Sequence, residues 1–269
     1  MPIEKRKRLE SLLRGLQGVV VAFSGGVDSA LVLAAAHAVL GRRVVAVTAR
    51  SESLPARELN AAKQLAEKIG VEHLVIETGE MASADYRANS IDRCYHCKSE
   101  LYARLRAIAG ERDLEHIVNG INADDMADHR PGIVAAAEAG VASPLRDAGF
   151  SKQDVRDLSR EFGLTVWDKP AAACLSSRVP YGQPITPEKL SAIEQAEDFL
   201  IALGFSQVRV RHHGDIARIE LLKDEIPAFF QNNCADSVYK KFKTLGFKYA
   251  ALDIAGFRSG SLNEVLKKK

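Results

Sequence analysis

Apolar residues fall along this chain in two rhythms. Short, nearly unbroken apolar runs occur at Val19–Phe23, Val44–Ala49, His73–Glu77 and His116–Gly120. Between them lie Ser29–Leu40, Pro55–Ile69 and Ser99–Ala109, which read as helices. A continuous apolar run flanked by helices marks a strand buried on both faces, as in parallel sheets. Right-handed crossovers then stack helices on either side of the sheet. The pattern predicts an α/β fold built on a doubly wound parallel sheet. Ligands in such sheets bind beyond the carboxyl ends of the strands. The segment after Phe23 and "NGINADD" after the fourth strand lie at such ends.

Near Pro170 the pattern changes. "KPAAACLSSRVPYGQPIT" carries three prolines and a glycine, and a helix then opens at Thr186 with Pro187 behind it. Threonine is a favourable helix cap and proline suits the first helical position. This helix runs to about Leu203. "QVRVRHHGDIARIELL" reads as two strands turning at His213-Gly214-Asp215, followed by a helix and a last strand in "FKYAALDIAG". We therefore expect a larger domain over residues 1–172 and a smaller C-terminal α/β domain over 173–269.

Composition narrows the class. With 269 residues, 46% hydrophobic and 27% charged, the chain can bury a real core. A net charge of +2 supplies no global pull toward nucleic acid or membrane. The basic clusters Lys5–Arg8 and Lys267–Lys269 read as solvated ends. No run of apolar residues suits a membrane span, and no leader-like segment opens the chain. The expected location is the cytoplasm, where Cys94, Cys97, Cys174 and Cys234 stay free thiols, metal ligands or reactive groups.

The first strand breaks into Ser24-Gly25-Gly26-Val27-Asp28-Ser29, and a helix follows at once. Consecutive glycines let backbone N–H groups approach an anion, and the helix N-terminus adds partial positive charge. No lysine sits in the loop, so it is not a G-x-x-x-x-G-K phosphate loop. Asp28 would repel phosphates unless Mg²⁺ lies between them. The loop resembles the S-G-G-x-D-S pyrophosphate loop of the PP-loop ATP pyrophosphatases, whose fold is the adenine nucleotide alpha hydrolase-like kind. That resemblance implies ATP binding by Ser24 to Ser29. It also implies that the ends of the second and fourth strands line the adenosine, pointing to Thr48, Gly120, Asp124 and Asp125.

Cys94-Tyr95-His96-Cys97 is a C-x-x-C pair. Redox chemistry, zinc, a three-thiolate [4Fe–4S] cluster with Cys174, and unligated thiols all remain open on the residues alone. Cys174 has Arg178 nearby in sequence; it reads either as an exposed thiol that gains thiolate character near a cation or as a small buried apolar residue. Cys234 has no such company and reads as structural. Arg209 and Arg211 share one face of a strand and suit a phosphate or carboxylate, or else face solvent.

Taken together, SGGVDS, "RCYHCKSELY", "NGINADDMADHRPG", "KPAAACLSSRVPYG" and "RVRHHGDIARIE" resemble the LarE family of ATP-dependent sacrificial sulfur transferases. The resemblance implies adenylation of the carboxylates of pyridinium-3,5-biscarboxylic acid mononucleotide and their conversion to thiocarboxylates. The product serves the nickel-pincer nucleotide cofactor of lactate racemase. It implies Cys174 as the catalytic thiol, or Cys94, Cys97 and Cys174 as ligands of a [4Fe–4S] cluster. It further implies Arg209, Arg211 and Glu197 around the substrate phosphate, a homo-oligomer, and a sulfide-donating partner. Two other readings stay open: a tRNA-thiolating enzyme, which the near-neutral charge disfavours, and a non-catalytic ATP sensor.

Overall fold

The computed structural model describes residues 3–127, 131–170, 172–258 and 260–262. Lys267–Lys269 and Asp128-His129-Arg130 lie outside the described residues. The chain divides into two compact units. The first comprises residues 1–86 and 92–172; the second comprises 87–91 and 173–269.

In chain order the first unit contains α1 (Ile3–Gly15), β1 (Val19–Ala22), α2 (Val27–Leu40), β2 (Val44–Arg50), α3 (Ala56–Ile69) and β3 (Glu72–Glu77). After the short α4 (Ala84–Arg87) come α5 (Arg93–Glu111), β4 (His116–Val118), α6 (Pro131–Glu138), α7 (Pro144–Asp147) and α8 (Lys152–Glu161). The strands form one parallel sheet in the order β3-β2-β1-β4. Period-two alternation divides the core. Val19, Val21, Phe23, Val44 and Ala46 face the side packed by α1, α2, α3 and α8. Val20, Val45, Val47 and Ile117 face the opposite side, packed by α5. Helices thus cover both faces, as the near-continuous apolar strands require. Helix α2 is apolar almost all round and is buried over Val27–Ala36 except at Asp28, as expected of a central helix.

Three features depart from the sequence reading. The basic N-terminus is part of α1, which buries Leu9 and Leu13 and carries its charges on the outer side. Helix α5 begins at Arg93 rather than Ser99, so the C-x-x-C lies inside its first turns. Helices α6 to α8 fill a stretch where no element was expected; the clearest sign of α8 is a capping box between Ser151 and Asp154.

The second unit contains α9 (Pro187–Ala202), β5 (Arg209–His213), β6 (Ile216–Glu220), α10 (Ile226–Phe229), α11 (Cys234–Thr244) and β7 (Tyr249–Leu252). Its sheet has the order β5-β6-β7, with the first pair antiparallel and the second parallel. Thr186 caps α9 by accepting the Lys189 N–H, as its position ahead of Pro187 predicts. Among the described residues no helix is long and apolar enough to cross a membrane.

Candidate active site

The order β3-β2-β1-β4 puts the direction reversal of the sheet between β1 and β4. A doubly wound sheet opens its ligand crevice there. The Ser24–Ser29 loop leaves the carboxyl end of β1 at that crevice. Gly25 takes φ +70°, and a Cβ on it would come within 2.9 Å of the Ala62 Cβ. Glycine is thus needed twice over, for the left-handed turn and for close approach to α3. Gly26 caps α2 without a side-chain hydrogen bond, so the first N–H groups of the helix have no side-chain cap. The loop is braced from within: the Ser24 N–H donates to Ser29 Oγ at 3.2 Å, and Ser29 Oγ donates to the Gly26 carbonyl at 3.1 Å.

Gly120 follows β4 and abuts this turn. A Cβ there would lie 2.7 Å from the Ser29 nitrogen and 2.9 Å from the Asp28 carbonyl carbon. Asp28 Oδ1 accepts from Asn122 Nδ2 at 2.9 Å, and Asp28 Oδ2 faces Lys152 Nζ at 2.5 Å. The carbonyl oxygen of the Asn122 side chain accepts the Asp124 and Asp125 N–H groups, while Asp125 Oδ2 accepts the Asn122 N–H. Asp124 Oδ2 accepts the Lys152 N–H at 2.8 Å, at the start of α8. The structure therefore gathers Asp28, Gly120, Asp124 and Asp125 into one polar cluster. It adds Asn122 and Lys152, which sequence reasoning had not singled out.

Thr48 lies near the end of β2 with its side chain buried. Its hydroxyl donates to the Phe23 carbonyl at 2.7 Å and meets His73 Nε2 at 2.8 Å. One hydroxyl hydrogen serves one acceptor, so His73 Nε2–H is the donor in the second bond. Burial, then the charge of Lys63, pushes the His73 pKa below its ordinary value.

Cys94 and Cys97 are one turn apart on α5 and half-buried. The buried Arg93 donates weakly toward Cys94 Sγ at 4.0 Å. Tyr95 Oη donates to Glu138 Oε2 at 2.6 Å and pins this turn to α6. Cys174 belongs to the second unit, as the cap of a single 3₁₀ turn over Leu175–Arg178. Among the described residues no group of three or more His, Cys, Asp or Glu side chains is arranged to hold a metal ion.

The second unit fixes the Cys174 turn with two buried guanidiniums. Arg178 forks onto Glu197 at 2.9 and 3.0 Å, and its Nη1 donates to the Ala173 and Cys174 carbonyls. It holds the backbone on either side of the Ala173–Cys174 bond, a contact that its nearness in sequence did not specify. Burial pushes Glu197 up, but the Arg178 charge and hydrogen bonds prevail and hold its pKa below the usual carboxylate range. Arg211 forks onto Glu220 at 2.7 and 3.0 Å, and also donates to the Ser177 carbonyl and Ser261 Oγ. Arg209 lies over the Phe257 ring, 5.3 Å from its centroid. The fully buried Asn89, at φ +55°, donates to the carbonyls of Val179, Pro180 and Gln183 and so pins the segment beyond the turn. Cys234 sits at the start of α11, its pKa raised by burial.

This chain is similar to known proteins over nearly all its length. It is 43% identical to pyridinium-3,5-bisthiocarboxylic acid mononucleotide synthase of Lactiplantibacillus plantarum, over 98% of this chain and 95% of that one. It belongs to the LarE-like family of PP-loop ATP pyrophosphatases. An uncharacterised protein of Synechocystis sp. is 46% identical over 98% of both chains. The NAD synthase family model matches residues 6–113, the part that holds the Ser24–Ser29 loop and the C-x-x-C. The tRNA-specific 2-thiouridylase of Rickettsia africae is 27% identical over 56% of this chain and 52% of its own. The chain is thus an ATP-dependent PP-loop enzyme. In this LarE-like enzyme, Asn122 and Lys152 escaped the sequence reading because they reach Asp28 from 94 and 124 residues away. The one local signal was the helix cap at Ser151.

Proposed function

We propose that the enzyme adenylates the carboxylates of pyridinium-3,5-biscarboxylic acid mononucleotide and converts them to thiocarboxylates, in the biosynthesis of the nickel-pincer nucleotide cofactor of lactate racemase. The observation that carries this reading is the near-full-length similarity to a synthase named for the bisthiocarboxylic product. A substrate carboxylate oxygen attacks the α-phosphorus of ATP, the α–β bridging bond breaks, and pyrophosphate leaves. The first N–H groups of α2 and the Ser24 and Ser29 hydroxyls receive the pyrophosphate. Asp28 would hold Mg²⁺, which would screen its charge from the phosphates, and Thr48, Gly120, Asp124 and Asp125 border the nucleoside. Reduced sulfur then attacks the acyl carbon and AMP departs with the bonding pair.

Arg209 supplies the charge for the substrate phosphate. Arg211 and Glu197 act beside it, chiefly by fixing the strand and the Cys174 turn through their ion pairs. The sulfur comes from Cys174 or from a [4Fe–4S] cluster on Cys94, Cys97 and Cys174, the latter favoured by the presence of all three thiols. The donor chemistry suits iron, but no three-ligand group forms among the described residues. When bound, the cluster would supply sulfide. The reading extends to a homo-oligomer and a sulfide-donating partner.

The test is an anaerobic assay with ATP, Mg²⁺, sulfide and the dicarboxylate, read by mass spectrometry. We expect AMP, pyrophosphate and a thiocarboxylate, each only when the dicarboxylate is present. Binding of ATP without any AMP release would overturn the reading in favour of a sensor. Release on tRNA alone would overturn it in favour of tRNA thiolation, which the partial thiouridylase match keeps as the second reading. The intact mass of the protein then separates the sulfur sources: loss of H₂S at Cys174 means sacrifice, and an unchanged chain means recycled sulfur.

A further inference from the structure

The chain that leads to Cys174 is fastened to the first unit at three points. Leu164 is buried in the core that contains α2 and α8. The Trp167 ring lies under the Arg160 guanidinium of α8, 3.9 Å from ring centroid to cation. Lys169 Nζ donates to Glu58 Oε2 at 2.7 Å, and the two side chains are 22% and 18% exposed. Between these points the Trp167 and Lys169 N–H groups return to the Leu164 and Val166 carbonyls, which keeps the segment compact. Past Lys169, residues Pro170, Ala172 and Ala173 are exposed, and the next hold on the chain is that of Arg178 on the Ala173 and Cys174 carbonyls. Among the described residues, Lys169 is thus the last anchor in the first unit before the thiol. Five residues of chain reach at most about 18 Å, so the departure point at Lys169 limits where Cys174 can go.

The carboxylate that holds Lys169 is itself tied to the Ser24–Ser29 loop. Glu58 stands in the first turn of α3, four residues before Ala62. Residues four apart share a helix face, with about 6 Å between their Cβ atoms. Ala62 is the residue against which Gly25 of the loop packs. One helical turn therefore joins the seat of the loop to the point where the chain to Cys174 departs. We propose that Lys169 is a positioning residue for sulfur transfer: its ion pair with Glu58 fixes that departure point, so that sulfur presented at Cys174 reaches the acyl adenylate before water does. The inference rests on the proposed function and adds to it a residue and a role; it holds for sulfur from Cys174 itself and from a group that Cys174 ligates. A charge-assisted hydrogen bond with little access to water suits the task, because it holds one geometry. The acyl adenylate has two fates. Attack by sulfur on the acyl carbon gives the thiocarboxylate, and AMP departs with the bonding pair. Attack by water on the same carbon also releases AMP, and returns the carboxylate carrying one oxygen from the water. Loosening the pair favours the second fate, since a misplacement of about 1 Å can cost on the order of a hundredfold in a step governed by approach geometry.

The test is the yield of thiocarboxylate per pyrophosphate released, measured anaerobically on the full chain with ATP, Mg²⁺, sulfide and the dicarboxylate in ¹⁸O-labelled water. Lys169→Met and Glu58→Gln should each lower that yield roughly tenfold to hundredfold, with ¹⁸O appearing in the returned dicarboxylate. Pyrophosphate release itself should change by less than about threefold, because the step that forms the adenylate does not depend on Cys174. Exchanging the charges, Lys169→Glu with Glu58→Lys, should restore the yield to within about threefold, as a coupled pair requires. Either single variant carries the test should the other not fold. An unchanged yield in the single variants would overturn the inference. So would a fall of pyrophosphate and thiocarboxylate in equal proportion, which marks a structural pair that merely supports α3, and so would a charge exchange that restores nothing. If the unaltered protein releases no pyrophosphate with the dicarboxylate, the proposed function falls and this inference with it. If it does and the variants match its yield, this inference alone falls.

Discussion

Asp28 and Glu197 are both carboxylates facing a cation, one in each unit, and they are built for opposite purposes. Glu197 and Arg178 are 0% and 2% exposed, with two parallel hydrogen bonds and further bonds to backbone groups on β5 and the Cys174 turn. Asp28 and Lys152 share one contact at the open end of the sheet. The first arrangement fixes a backbone, because opening it would strand a charge in the protein interior. The second can exchange partners, because water already reaches both groups. A cation beside a carboxylate therefore says little about role until burial and the count of hydrogen bonds are known.

The sharpest way to break this contrast is to remove one member of each pair and measure unfolding in urea. Arg178→Met should cost about 3–5 kcal/mol, the range for leaving a buried partner uncompensated. The double change Arg178→Met with Glu197→Leu should recover much of that loss, since a well-packed apolar pair can replace a buried ion pair. Lys152→Gln, by contrast, should shift stability by no more than about 1 kcal/mol. Similar losses from Arg178→Met and Lys152→Gln would show that exposure does not separate the two kinds of pair.

A smaller effect should come from Gly120→Ala. The added Cβ would sit 2.7 Å from the Ser29 nitrogen, and that neighbour is backbone, which cannot swing aside like a side chain. We expect a loss of about 1–3 kcal/mol by overpacking, with ATP affinity falling because the shift moves the first turn of α2. Unchanged stability and ATP affinity in this variant would mean that the strand ends are looser than the close approach of Gly120 implies.

These two regions were unequally legible in the sequence. The β1–loop–α2 unit could be read directly, because an apolar run, paired glycines and a following helix are all local signals. Asn122 and Lys152 could not be, because only the stacking of α8 and the β4 loop beside α2 brings them to Asp28. In the second unit, period two placed Arg209 and Arg211 on one face, but not which of them would be buried. That depends on the cross-strand register, which sets Arg209 opposite Glu220 and Arg211 opposite Arg218, and on the side-chain fork that then joins Arg211 to Glu220. The C-x-x-C was legible as a motif, but its enclosure in α5 was not, because the polar turn before Ser99 hid the helix start at Arg93.

The gentlest probe of both units is pH. His73 in the first unit and His213 in the second are each pushed below the ordinary histidine value of 6.5 by burial, reinforced by Lys63 in one case and by Arg218 and then Arg211 in the other. Between the folded and unfolded values the unfolded chain binds more protons than the folded one. Stability therefore falls as pH drops below about 6.5 and does not change from this cause above it. Glu197 adds nothing in that window, since its depressed pKa matters only near and below the ordinary value of 4.5. Both imidazoles remain half-exposed, so the effect should be the smallest of the three. His73→Gln isolates it, because a glutamine amide can still donate to Thr48 without acquiring a charge. Urea midpoints of the variant and the unaltered protein should run parallel above pH 7 and converge or cross toward pH 5.5. A constant offset across that range would mean that His73 titrates as it does in water, and that the floor beneath β2 is wetter than its contacts with Thr48 and Phe23 indicate.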